Sequence, residues 1–189
     1  QLAELGRRWG KALIAAIVVG LIALAGWLWW QNHSRNVAGE QGEQLQAAFN
    51  DIAANRDAAA AKPLEELSKS RVDGYKAAAL MSQAVIAVDK NDPKTAVAKL
   101  KAVADDSSLA KPYRDLALVK QTMIEFDQLQ PQAVIDRLKP LAVKDSAFLG
   151  TAGELVAVSY LRQGKRKEAG ALFGQIAKDE NVPETIRQR

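Results

Sequence analysis

Between Lys11 and the polar residues that follow Trp30 lie nineteen consecutive residues, Ala12 to Trp30, without a single charge. As a helix rising about 1.5 Å per residue, this run would reach about 28 Å, the thickness of a bilayer's hydrocarbon core. A charged side chain at the bilayer centre costs about 2.5 to 3.5 kcal/mol on insertion scales, so an uncharged run of Ala, Leu, Ile and Val is expected to insert. All four tryptophans, Trp9, Trp27, Trp29 and Trp30, fall near its two ends, at the headgroup level that amphipathic rings prefer. Arg7, Arg8 and Lys11 precede the run, whereas Arg35 beyond it is answered by Glu40 and Glu43. The positive-inside rule then keeps the amino terminus in the cytoplasm and exports the chain beyond about residue 36. Ala23-Leu24-Ala25 has the small-x-small form of a signal cleavage site, but the apolar run continues five residues past Ala25, which favours a retained anchor. Because the chain opens on Gln rather than Met, further cytoplasmic residues are expected before it.

Three segments follow from this reading: a basic cytoplasmic flank over 1–11, a membrane helix with its exit over 12–34, and an exported domain over 35–189. Within the membrane helix Ala12, Ala16, Gly20 and Ala23 recur at four, four and three residues. Small side chains on one face let another helix approach closely, so this face is a candidate contact with a membrane partner.

The net charge of +4 and the pI near 9.3 belong to the amino-terminal end. Residues 37–189 hold 22 of the 26 basic and 21 of the 22 acidic residues, a nearly neutral balance without a basic stripe, so no nucleic-acid partner is expected. There is no cysteine, and the one histidine, His33, stands just beyond the apolar run. The exported domain therefore takes no disulfide, offers no thiolate or imidazole, and carries no expected metal or cofactor.

From Val37 onward Ala, Leu, Lys, Gln, Glu and Asp dominate and apolar residues recur at three and four, the helical period. Breaks at Asn55-Arg56-Asp57, Arg71 to Gly74, Asn91-Asp92-Pro93, Asp105 to Pro112, Gln128 to Pro131, Lys144 to Ser146, Gly164-Lys165 and Asn181 to Pro183 predict eight or nine helices of about twelve to eighteen residues. Asp92 before Pro93 and Asp73 before Gly74 are expected caps. The last pair places Ala157, Tyr160, Gly164, Ala169 and Phe173 at the offsets of small residue, aromatic, turn glycine, alanine and aromatic that resemble a tetratricopeptide repeat. Earlier copies start their second helices at Ala133, Ala96 and Ala60, and their apolar pairs are Leu64 and Leu67, Leu100 and Val103, Leu138 and Leu141, Phe173 and Ile176. Four degenerate repeats then fill residues 37–180, an all-α chain with a membrane helix followed by a tetratricopeptide-like α-solenoid in which each hairpin buries its apolar face against its neighbours.

The Arg-Arg-Trp-Gly lead of Arg7 to Gly10, the Gly-Trp-Leu-Trp-Trp exit of Gly26 to Trp30, Gly74-Tyr75 and the Tyr-Arg-Asp-Leu-Ala run of Tyr113 to Ala117 extend the likeness. With them, nearly the whole chain resembles the family of ancillary Sec translocon subunits. That resemblance implies a single-pass protein of the bacterial inner membrane, its repeat domain periplasmic, with the Sec translocon and a periplasmic folding factor as partners. The same architecture would serve an accessory subunit of another inner-membrane complex, such as a respiratory enzyme.

No set of residues reads as catalytic. Glu65-Glu66 and Asp105-Asp106 are adjacent acids, which do not face one another on a helix. Gly164-Lys165 lacks the upstream glycine of a phosphate loop, and Ser68, Ser70, Ser107 and Ser108 have no histidine in the exported domain to activate them. An interaction surface is the expectation that remains. In tetratricopeptide folds the first helix of each pair lines a groove, and on this register Met81, Val85 and Val88, then Leu118, Thr122 and Glu125, then Glu154, Val158 and Leu161 would face it. That set is more apolar than a groove reading phosphate or carboxylate, which would carry several Lys or Arg.

Overall fold

A computed structural model of the chain describes residues 19–28 and 39–189. Residues 19–28 are helical and exposed throughout, with open space around the Cα of Gly20. The rest of the expected membrane helix, Ala12 and Ala16 included, lies outside the described residues. Among those described, no helix is long and apolar enough to cross a membrane.

Helical residues 39–53 (α1) lead into α2 (Asp57–Leu67), followed by α3 (Asp73–Asp89), α4 (Pro93–Ala104), α5 (Lys111–Glu125), α6 (Pro131–Leu138), α7 (Leu149–Arg162), α8 (Arg166–Lys178) and the short α9 (Glu184–Arg187). Each helix packs chiefly on its neighbours in sequence, so the described domain is a row of four hairpins closed by α9. Three of the four hairpin turns share one geometry. Asn55, Asn91 and Gly164 take the left-handed conformation, with φ of 55°, 57° and 76°. The following amides, of Arg56, Asp92 and Lys165, reach back to the carbonyls of Asp51, Ala87 and Tyr160 at 2.7, 2.8 and 2.9 Å, which satisfies carbonyls that a helix end leaves open. Glycine and asparagine occupy these sites because other side chains meet a steric penalty there.

The α5–α6 turn departs from this pattern: it has no left-handed residue, and Pro131 restarts the chain at the first position of α6. Pro93 begins α4 in the same way, with the Asp92 carboxylate accepting from the Thr95 amide at 3.0 Å as the predicted cap. Hydrogen bonding from the Thr95 side chain, together with that amide, holds the Asp92 carboxyl below its ordinary pKa. Asp73, by contrast, is not a cap. It is the first residue of α3, and Val72 precedes it with its amide held by the Ser70 hydroxyl at 3.0 Å.

Taking the left-handed residues and the two prolines as markers, equivalent positions recur at spacings of 36, 38 and 35. Ala48, Ala84, Thr122 and Ala157 are the buried small positions of the first helices. Ala60, Ala96, Val134 and Ala169 are their counterparts in the second helices, all fully buried. The predicted apolar pairs follow, and all but Phe173, which packs half-buried against the core, are buried outright. Two expectations need correction. Ala133 is only half-buried and Val134 takes its place, because the step from the second repeat to the third is 38 residues. Helix α6 ends at Leu138 after eight residues, well short of the predicted length. Pro140 stops it, since its ring would clash with the preceding turn and it has no amide to donate.

Stacking is sealed where tyrosines lean on glycines of the preceding first helix. A Cβ on Gly42 would lie 3.1 Å from the Tyr75 hydroxyl, and one on Gly74 3.3 Å from the Tyr113 hydroxyl. Lys76 on α3 adds a 2.6 Å ion pair to Asp106 in the α4–α5 turn. That ammonium, with the Ser108 hydroxyl and amide, lowers the Asp106 carboxyl to about 2.

Candidate functional site

Exposed large apolar side chains are not scattered over the repeat domain. Five of them, Phe49 (40%), Val85 (45%), Val88 (47%), Met123 (50%) and Leu161 (47%), occupy two equivalent positions on the first helices of the four hairpins. Phe49, Val85 and Met123 share one position, which Val158 fills half-buried in the last repeat; Val88 and Leu161 share the other, with Ile52 and Phe126 half-buried at its remaining copies. Five of the eight copies of these positions are left uncovered by the hairpins' own packing, and repeated apolar exposure along one face marks an interaction surface.

The face deepens between α3 and α5 into a cleft of about 210 Å³, lined by Met81, Ala84, Val85, Val88, Asp89, Leu100, Lys120, Met123 and Ile124. Three of the expected groove residues, Met81, Val85 and Val88, therefore meet at one place, and Val158 and Leu161 continue the same face in the last repeat. Others do not belong to it. Thr122 is completely buried where helices cross, its hydroxyl donating to the Leu118 carbonyl at 2.8 Å. Leu118 packs into the core beside Val119 and Val134. The reason is again the 38-residue step from the second repeat to the third: a uniform step of 37 rotates α5 by one residue, about 100° around a helix, and exchanges buried for exposed positions. Met123, Ile124 and Lys120 are what that error concealed. The 38 residues separating Pro93 from Pro131 were the signal that could have exposed it.

The charged residues expected in the groove are already engaged. Glu125 accepts from Arg137 at 2.5 Å and from Gln121 at 3.1 Å. Glu154 receives Arg189 at 3.0 Å. Arg162 pairs with Asp127 at 2.8 Å and lies over the Phe126 ring, 4.2 Å from its centroid. Within the cleft itself the two charges, Asp89 and Lys120, are of opposite sign. Three of the four paired acids are likewise engaged, Glu65 with Lys69, Asp105 with Lys101 and Asp106 with Lys76, and Lys69 keeps the Glu65 carboxyl below its usual range. No cluster of His, Asp and Glu among the described residues could hold a metal ion. Of the small-residue face, Gly20 and Ala23 are described and exposed, while Ala12 and Ala16 lie outside the described residues.

Hairpins stacked in register, with small residues at each crossing, agree with a family model for tetratricopeptide repeat-like domains that matches residues 7–185. The chain belongs to that family. Over 100 residues it is 26% identical to a protein of Haemophilus influenzae named "Ancillary SecYEG translocon subunit", an overlap that covers 53% of this chain and 49% of that protein. The chain thus spans about half the length of this curated relative, whose name is that of the family the sequence resembles. No solved structure matches the chain. In this tetratricopeptide repeat-like protein, then, the first-helix face is an apolar surface on which Glu125, Glu154 and Arg162 are paired within the fold, and Met123 lines its cleft.

Proposed function

We propose that this chain is a membrane-tethered tetratricopeptide-repeat scaffold, an accessory subunit of the Sec translocon that brings a periplasmic folding factor to it. The observation that carries the reading is the line of exposed apolar side chains along the first-helix face, which a free soluble domain would pay to keep in water. The uncharged run from Ala12 to Trp30, with its basic amino-terminal flank, supports tethering in the bacterial inner membrane with the repeats on the periplasmic side. The printed name of the Haemophilus relative supports the translocon as the assembly. Binding is the role this reading assigns, and a repeat domain without histidine or cysteine, with no cluster of Asp and Glu among the described residues able to hold a metal ion, supports it.

The test is purification of the tagged full chain from membranes in mild detergent, with mass spectrometry of what accompanies it, together with protease digestion of spheroplasts. The expected result is translocon subunits plus a periplasmic folding factor, and a repeat domain degraded only once the outer membrane is breached. Respiratory subunits without translocon components, or a repeat domain protected in spheroplasts, would overturn the proposal.

A further inference from the structure

The chain contains two methionines, Met81 and Met123, and both line the one cleft between α3 and α5. They come from different repeats and from different positions of the repeat, Met81 half-buried against the core and Met123 half-exposed. Unbranched and polarizable, a methionine side chain reshapes itself around whatever apolar group it meets, the property that lets a surface accept varied partners. Val85, Val88 and Ile124 complete an aliphatic wall, and Asp89 and Lys120 bring opposite charges to it. Every other charge named on this face already has a partner within the fold. Charge complementarity therefore selects against an acidic or basic ligand and against a free carboxylate, which would need a clamp of Lys or Arg. A space of about 210 Å³ holds on the order of seven waters at about 30 Å³ each, and an aliphatic lining gives them few hydrogen-bond partners. An apolar side chain displaces such water favourably.

We propose that the Met81 and Met123 cleft takes up apolar side chains from uncharged stretches of non-native polypeptide, without selecting their sequence. The proposal rests on reading the first-helix face as the docking surface and names what docks there. Two adaptable thioethers stand where a shape-specific site would carry stiff side chains, so the cleft fits apolar side chains of differing shape. Oxidation of either thioether to a sulfoxide puts a polar group into the aliphatic wall and weakens uptake.

The experiment uses the full chain in lipid nanodiscs and short fluorescent Gly/Ser peptides bearing Leu, Phe or Val, the same peptides with the apolar residues shuffled, and Gly/Ser peptides without them, with empty nanodiscs as the blank. Fluorescence anisotropy should show similar affinity for all apolar peptides in either order and none for the Gly/Ser peptide. The double variant Val85→Asn with Met123→Gln should weaken binding by about tenfold or more, a 1.4 kcal/mol step per decade, whereas Val143→Asn, an exposed apolar site in the α6–α7 turn, should leave it unchanged. Peroxide should weaken binding to the native chain and not to a chain carrying Met81→Leu and Met123→Leu. Affinity that ignores the apolar residues, binding confined to a peptide locked as a helix, or a cleft filled by self-association in sedimentation would each overturn the proposal. A chain that still co-purifies with the translocon yet binds no peptide would refute this proposal alone; peptide binding without co-purification would refute only the proposed function.

Discussion

The first hairpin and the last two are built on the same positions with different side chains. Around α1 and α2 the buried set is Ala48, Ala60, Leu64, Leu67 and Ala79, with Leu45, Ile52, Tyr75 and Ile86 leaning on it. From α5 to α9 one continuous cluster of thirteen buried residues includes Val134, Leu138, Leu149, Val156, Leu172 and Ile176, and Val182 and Ile186 close it over Gly150. Stabilisation scales with apolar area removed from water, about 25 cal/mol per Å², so the carboxyl-terminal half is the firm one. In a stacked array each hairpin depends on its own packing and on one or two neighbours. The alanine-rich first hairpin therefore opens at lower free energy than the rest, and it is the hairpin nearest the apolar run.

Equivalent leucines give the largest contrast. Leu64 and Leu138 occupy the same repeat position and both are fully buried. Leu138→Ala should cost about 2–5 kcal/mol and lower the melting temperature of the whole repeat domain. Leu64→Ala should cost a similar local amount but appear in hydrogen exchange as lost protection confined to α1 and α2. Loss of protection across all hairpins in the Leu64 variant would abolish the distinction.

The eight apolar positions from Leu64 to Ile176, all in second helices but Leu141 beyond the end of α6, were legible in the sequence, because long side chains at three-and-four spacing leave little choice of face. Hairpin turns were legible at Asn55, Asn91 and Gly164, whose left-handed backbones favour those residues. Reading failed in the third repeat, for definite reasons. Thr122 stands where the other first helices carry alanine, so the small-residue mark is disguised, and Pro140 cuts α6 short inside what seemed one continuous helical period. Thr122 is the one that bears on the cleft: it hides the 38-residue step from Ala84, so the face of α5 that carries Met123 is misread while Val85 is found.

Smaller effects sharpen the turns and crossings. Asn91→Ala and Gly164→Ala should each destabilise by about 1–2 kcal/mol, since alanine is penalised at positive φ, whereas Gln128→Ala, at an exposed position of the unlike third turn, should show no such penalty; calorimetry of the three variants decides. Thr122→Ala should change stability by less than about 1 kcal/mol, because the lost hydroxyl bond is local and alanine fits that crossing in the other three repeats. A larger loss would mean that the hydroxyl sets the third repeat's geometry.

The smallest contrast is in pH. Asp106 is held at about 2 against an ordinary 3.8, so its carboxylate contributes stability that is fully present above 3.8 and lost as the pH falls toward 2. Asp106→Asn should flatten the acid limb of the melting curve over that interval. The inter-repeat pairing to Lys76 would be irrelevant to stability if native and variant profiles coincide.

The most direct test of the account is photo-cross-linking in living cells from single sites in the full chain: Val85 and Met123 on the first-helix face against Val143 in the α6–α7 turn, all similarly exposed. Adducts to other polypeptides from Val85 and Met123, with none from Val143, are the predicted result. Equal adducts from all three sites, or adducts from Val143 alone, would contradict the claim that the first-helix face is the working surface of this protein.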